Sequence, residues 1–218
     1  MRKVWAILGV MIGVTLAAGA AAWADPVRIT ALGDSLVQGY GLHQEDGFVP
    51  QLETWLRENG AEVEIANAGV SGDTSAGGAA RIDWTLADTP DGLIVLLGGN
   101  DLLRGLSAEE MKSNLSKILA AAQDKGVEVL LIGMRAPNNY GPDYRAAFDA
   151  VYPDLAEEYG VLLHPDAFAG ISKQVGGDPA EAQQFMQDDD IHPNPEGVKL
   201  NVAALGPIAL ELVQRAKD

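Results

Sequence analysis

Short, almost unbroken apolar runs alternate along the chain with stretches in which apolar positions recur every three or four residues. Val27 to Leu32 reads as a first strand that stops at Gly33, Val63 to Ala66 as a second, Gly92 to Leu97 as a third, Val127 to Met134 as a fourth and the short Val161 to Leu163 as a fifth. The third and fourth are apolar nearly throughout, the pattern of a strand covered on both faces. Helices fall between them, at Phe48 to Glu58, Tyr144 to Glu158 and Pro195 to Ala216. The best marked helix follows Ser107. Ser107-Ala108-Glu109-Glu110 is a capping box, Met111, Leu115, Ile118, Leu119 and Ala122 share one helical face, and Gly126 is placed to end the element. Gly206-Pro207 interrupts the last helix, and an interior proline removes a hydrogen bond and clashes with the preceding turn, so a kink or split is expected there. Strand–helix alternation of this kind predicts an α/β fold, a three-layer α/β/α sandwich around a central parallel sheet of about five strands. No repeat or low-complexity linker divides it. Asp166 to Asp188 is the least regular segment and reads as an insertion near a site.

The first 24 residues follow none of this. Arg2 and Lys3 precede an uncharged stretch from Val4 to Ala24, which closes on Ala22-Trp23-Ala24 before Asp25-Pro26. That is the layout of a secretory signal peptide, leaving residues 25–218 as a single mature domain. The stretch is just long enough to span a bilayer as an uncleaved anchor, but its tail is rich in Ala and Gly rather than Leu.

Composition narrows the classes further. Hydrophobic residues at 47% and charged residues at 21% exclude a disordered chain and a coiled coil. The absence of cysteine excludes a disulfide scaffold, a thiolate nucleophile and a Cys-based zinc site. Net charge is -16, and loss of Arg2 and Lys3 with the leader, which takes no acid, moves it to -18. So acidic a surface repels phosphate backbones and anionic headgroups, which excludes nucleic acid as a partner and disfavours stable membrane association after cleavage. An acidic exported chain fits a bacterial periplasmic or secreted protein. Nothing in the pattern marks an oligomeric state.

Candidate chemistry sits in the loops after the strands, where open α/β sheets bind ligands. Gly33-Asp34-Ser35-Leu36 follows the first strand, although a serine there equally serves as a helix cap. Asn67-Ala68-Gly69-Val70-Ser71-Gly72-Asp73-Thr74 follows the second, where Gly72 lets backbone approach a ligand closely, or is simply part of a turn. Leu97-Gly98-Gly99-Asn100-Asp101 follows the third and offers a neutral amide donor, or an ordinary helix start. Gln187-Asp188-Asp189-Asp190-Ile191-His192 precedes the last helix and places Asp189 three residues before His192, near enough to meet across a tight turn. A serine nucleophile needs a base and the base needs an orienting partner, and Asp-x-x-His supplies both. The same acids and histidine also form a hard-cation set, but no second histidine or acidic cluster lies at ligand spacing, and a metal would leave Ser35 without a role. His43 lies in a polar segment and reads as solvated, while His164 ends the fifth strand and can face the site.

Taken together and in this order, the four segments resemble the SGNH, or GDSL-type, hydrolases. The likeness runs from Ile29 to about Leu212. It is closer to the bacterial periplasmic branch of thioesterases, lysophospholipases and arylesterases through Gly72-Asp73-Thr74-Ser75, Gly98-Gly99-Asn100-Asp101, Asn139-Tyr140-Gly141 and Phe185-Met186-Gln187-Asp188-Asp189. The chain has no Gly-x-Ser-x-Gly elbow, which separates it from the ordinary α/β-hydrolases. The resemblance implies a flavodoxin-like sheet, a serine acyl hydrolase acting on carboxylic esters, thioesters or lysophospholipids, and no metal or organic cofactor. It implies Ser35 as nucleophile, His192 as base and then acid, and Asp189 as its orienting carboxylate. It implies an oxyanion hole made of the Ser35 and Gly72 N–H groups and the Asn100 amide. The loop after the fourth strand, with Ala136, Pro137, Asn139 and Tyr140, would cover the acyl group. An O-acetylesterase acting on carbohydrate or peptidoglycan would use the same residues. With aromatic residues at 6%, Trp5 and Trp23 in the leader, and Phe48 and Trp55 on a helix face, the chain is poor in the platforms a sugar site uses. A binding protein on this fold is the remaining alternative, and filled catalytic positions argue against it.

Overall fold

The computed structural model describes residues 25–217, so the signal-peptide reading of residues 1–24 lies outside the described residues. Five strands form one parallel sheet: β1 (Val27–Gly33), β2 (Val63–Gly69), β3 (Gly92–Leu96), β4 (Glu128–Ile132) and β5 (Leu162–His164), in the order β2-β1-β3-β4-β5. The two innermost apolar runs behave as the pattern predicts. Every residue of β3 is buried, and in β4 only Glu128 is not. β2 extends past the expected Ala66 to Gly69, because its register with β1 continues to the pair Gly33–Gly69. Its alternating burial marks a sheet edge covered on one face, which is why no long apolar run announced its end.

Among the described residues ten helices complete the layers: α1 (Ser35–Gln38), α2 (Phe48–Glu58), α3 (Ser75–Ala80), α4 (Ile82–Thr85), α5 (Gly99–Leu103), α6 (Ala108–Asp124), α7 (Pro142–Tyr159), α8 (Ala169–Gln174), α9 (Pro179–Ala182) and α10 (Pro195–Arg215). α2 and α8 pack on α10, whereas α3 and α7 pack on α6. α6 begins as its capping serine requires: the Glu110 N–H donates to Ser107 Oγ at 3.3 Å, and the five predicted apolar positions are all buried. A cap of this kind contributes about 1 kcal/mol.

The last helix is not split at Gly206-Pro207; α10 runs on through it. Pro207 lies on the exposed side, and so does Ala203, whose carbonyl loses its donor, so water can satisfy it. On the opposite side Gly206 admits the Trp55 ring of α2, whose atoms would lie 2.5 Å from any Cβ there. Leu205 and Leu212 are buried at 2% and 0% exposure. At roughly 1.5–3 kcal/mol each, their burial offsets a proline cost of about 3 kcal/mol.

Strand order then locates the site. β2 follows β1 outward on one side of the sheet, while β3, β4 and β5 extend from the other. The loops leaving the carboxyl ends of β1 and β3 therefore diverge, and the crevice between them is where such sheets take ligands. Ser35 follows β1 and Asn100 follows β3.

Candidate active site

Asp34 rather than Ser35 caps α1. Its Oδ1 accepts the Leu36 N–H at 3.0 Å. Ser35 is the first residue of the helix, which leaves its hydroxyl free of capping duty and its N–H among those a helix start cannot satisfy internally. Ser35 Oγ lies 2.8 Å from His192 Nε2, although the two are 157 residues apart in the chain.

The loop that brings His192 there is built around Asp189. Oδ1 of Asp189 accepts the N–H groups of Ile191 and His192, both at 3.0 Å, and Oδ2 lies 2.6 Å from His192 Nδ1. The backbone N–H of His192 first, and then its ring, hold the Asp189 carboxyl down at about 2. Asp188 and Asp190 are exposed and make no comparable bond to the ring. Asp190 adopts a left-handed φ of 57°, which aspartate tolerates and which closes the turn. A bridge between Met186 and Pro193 and a bond from the Gln187 N–H to the His192 carbonyl at 2.8 Å shut the loop at its base. Gln187 Nε2 also donates to the Tyr40 carbonyl at 2.9 Å, and the Tyr40 ring lies 4.8 Å from the His192 ring. These contacts tie the serine and histidine segments together.

Two further donors line the same cleft. Asn100 sits in the first turn of α5 behind Gly98, and its Nδ2 donates to Asp34 Oδ2 at 3.2 Å. Gly98 has φ 115°, and its Cα faces the buried Tyr152 hydroxyl so closely that no Cβ fits. Gly72 is the third residue of a turn closed by the Asp73 N–H on the Val70 carbonyl at 3.0 Å. Its φ of 83° is that of a type II turn. Among the described residues the Gly72 N–H has no acceptor. Burial pushes the Asp34 carboxyl up to about 6, against the hydrogen bonds from Leu36 and Asn100.

The cleft encloses about 700 Å³. Ser35, Gly72, Asn100 and His192 line it, with Ala136 and Pro137 of the loop after β4. Asn139 and Tyr140 do not reach it. Asn139 is exposed, and the turn Asn138–Tyr140 carries Tyr140 back onto Tyr144 of α7, ring centroids 5.4 Å apart. Arg145 of α7 lines the cleft instead. The irregular segment does lie at the site: Asp166, Phe168, Ser172 and Gly177 form one wall. His164 does not face it. It is buried in a small apolar pocket behind α1 with Leu36, Phe48 and Ile132, and desolvation lowers its pKa. His43 is exposed. Among the described residues no group of three His, Cys, Asp or Glu is arranged to hold a metal ion.

Local pattern says little of the residues that brace the site. Arg81 donates to Asp73 at 2.7 Å, to the Ala68 carbonyl at 2.8 Å and to the Gly33 carbonyl at 3.0 Å, joining the ends of β1 and β2. Such contacts span up to 48 residues of sequence. The one signal available was that Arg81 is a lone cation in a Gly- and Ala-rich segment.

A serine hydroxyl on an imidazole that rests on a carboxylate can generate an oxygen nucleophile. Residues 31–200 match the profile of the GDSL-like lipase/acylhydrolase family. The chain belongs to that family. Within it, the chain is 40% identical over 166 residues to the Pseudomonas aeruginosa protein named esterase TesA, covering 76% of this chain and 79% of that one. It is 39% identical over 176 residues to the Escherichia coli K12 protein named thioesterase 1/protease 1/lysophospholipase L1, covering 80% and 78% respectively. Among solved structures, AlinE4, described as an SGNH-hydrolase family esterase, superposes with a TM-score of 0.69 at 42% identity, over 86% of this chain and 97% of that one. As a GDSL-like acylhydrolase the chain shares both fold and family with esterases.

Proposed function

We propose that this chain is a serine acyl hydrolase that cleaves carboxylic esters through an acyl-enzyme on Ser35, and that acyl thioesters and lysophospholipids fall within its substrate class. One observation carries the reading: Ser35 Oγ, His192 and Asp189 form a continuous line of 2.8 Å and 2.6 Å contacts inside a cleft that also holds the unengaged Gly72 N–H. In the forward step His192 Nε2 takes the Ser35 proton as Oγ bonds to the substrate carbonyl carbon. The carbonyl oxygen becomes an oxyanion, met by the Ser35 and Gly72 N–H groups and the Asn100 amide. As the tetrahedral species collapses, His192 gives its proton to the departing alcohol or thiol and the acyl group stays on Ser35. Water then attacks with His192 again as base, and the acid leaves. Asp189 stays ionised, holds the ring by Nδ1 and stabilises the imidazolium.

Leu102, Met134 and Phe168 line the cleft, which suits an acyl chain better than a sugar ring and favours this reading over an O-acetylesterase. The thioester and lysophospholipid members of the class rest on the relatives' names. Export through a signal peptide cleaved after Ala24, to the periplasm or outside the cell, rests on the leader pattern. Among the described residues no helix is long and apolar enough to cross a membrane.

The test is hydrolysis of p-nitrophenyl butyrate by residues 25–218 beside Ser35→Ala, with circular dichroism to show both folded. Turnover by the parent and none by the variant is expected. Equal turnover by both would remove Ser35 from the mechanism.

A further inference from the structure

Two of the proposed oxyanion donors come from different loops, Gly72 from the turn after β2 and Asn100 from α5, so something must fix their separation. Two anchors hold the turn at its far end. Asp101, adjacent to Asn100 and 1% exposed, accepts the Ser75 N–H at 2.8 Å and the Ser75 hydroxyl at 2.5 Å. Arg81 holds Asp73 from the other flank at 2.7 Å. Gly72 itself has no side chain to anchor it. Its carbonyl is held by one contact, from Arg104 Nη2 at 2.8 Å. Arg104 follows α5 directly, and its own N–H donates to the Asn100 carbonyl at 3.1 Å. One residue thus touches Asn100 through its backbone and Gly72 through its guanidinium.

We propose that Arg104 is a positioning residue for the oxyanion hole, setting the distance between the Gly72 N–H and the Asn100 amide. The proposal rests on the acyl-hydrolase reading. Arg104 does not line the cleft, so it acts on the turn rather than on the substrate. A guanidinium is suited to this, because a charged planar donor on a carbonyl is stronger and more directional than a neutral one. Arg104 is exposed, so its removal leaves the core intact. The bond matters most in the transition state, when charge develops on the oxygen that both donors must reach.

The experiment compares the parent with Arg104→Ala by kcat and KM on p-nitrophenyl butyrate, and by amide hydrogen exchange of residues 70–74. Removing an oxyanion donor costs ~10²–10³ in kcat and a displaced donor less, so a roughly tenfold fall is expected. KM should stay within about twofold and exchange at 70–74 should rise. An unchanged kcat overturns the proposal, and so does a raised KM at parental kcat, which would make Arg104 a substrate contact. Unchanged exchange at 70–74 overturns it too. A parent that hydrolyses no ester overturns the hydrolase reading and the catalytic role with it, while faster exchange in the variant would still establish the clasp.

Discussion

Asn100 Nδ2 donates to Asp34 Oδ2 at 3.2 Å, so the carboxylate that caps the nucleophile helix also dictates which way the Asn100 amide points. An amide nitrogen carries two protons, and with one spent on Asp34 the other is left for the cleft. The carbonyl end of the amide is turned away from the anion it would otherwise repel. Asn100→Ala removes the donor without disturbing the cap, and should lower kcat by ~10²–10³ with KM little changed. Steady-state kinetics on p-nitrophenyl butyrate check this, and a parental kcat would remove Asn100 from the oxyanion hole.

Asp34 carries a cost that pH should reveal. Its carboxyl titrates near 3.8 when unfolded and is pushed up to about 6 in the fold by burial. A raised pKa means the native state binds the proton more tightly. That stability is fully present below pH 3.8 and is lost as pH rises through 6. At pH 8 the buried charge costs on the order of 3 kcal/mol, which Asp34→Asn avoids. The variant keeps an acceptor for the Leu36 N–H but sets an amide nitrogen against Asn100 Nδ2, a loss that does not depend on pH, so its melting temperature relative to the parent should rise between pH 4.5 and pH 8. A gap independent of pH would show that Asp34 is not the group responsible.

Gly72 is required for its backbone and not for space. The nearest heavy atom to a Cβ there would be Arg104 Nη2 at 3.7 Å. Its φ of 83° costs an alanine roughly 1–2 kcal/mol, and the turn can relieve that by passing from type II to type I. The passage inverts the peptide between Ser71 and Gly72, turning the free N–H away from the cleft. Gly72→Ala should therefore lose about 10²-fold in kcat for a stability loss near 1 kcal/mol, read by thermal melts. A variant that loses stability alone would contradict the assignment of that N–H.

Ala136 lines the cleft and is 2% exposed, with its N–H held by Asp149 Oδ1 at 2.8 Å. The wall it forms is fixed to α7 and cannot retreat freely. Ala136→Leu should shorten the acyl group accepted, lowering kcat/KM for p-nitrophenyl octanoate about tenfold relative to the acetate. Equal effects on both esters would place Ala136 away from the acyl chain.

How far the sequence carries can be argued from particular residues. The buried strands were legible because β3 and β4 need apolar side chains on both faces, and α6 because its cap and stripe are local. Ser35, Gly72 and Asn100 could be placed in one cleft because parallel sheets put their loops at strand ends, whereas the Asp189–His192 pair, which precedes α10 rather than following a strand, was marked by its three-residue spacing. Asp34 was passed over as the cap because Ser35 is an equally good capping residue type, and only the backbone path chooses between them. The continuity of α10 through Pro207 depends on which side of the helix faces solvent. Arg81 and Arg104 reach backbone carbonyls of distant loops, partners that leave no residue type to look for, although Arg81 also pairs with Asp73. Tyr140 was misplaced because the direction of one short turn decides whether it joins the cleft or the aromatic stack on α7.

The central claim is that Ser35 forms a covalent bond to the acyl group, and an alkyl fluorophosphonate tests it most directly. Its phosphorus mimics the tetrahedral centre and loses fluoride to the attacking oxygen. Intact mass and peptide mapping should find one adduct, on Ser35, forming in step with loss of esterase activity and much more slowly in His192→Ala. Activity lost with the adduct elsewhere, or Ser35 left unmodified in an enzyme that hydrolyses esters, would contradict the account.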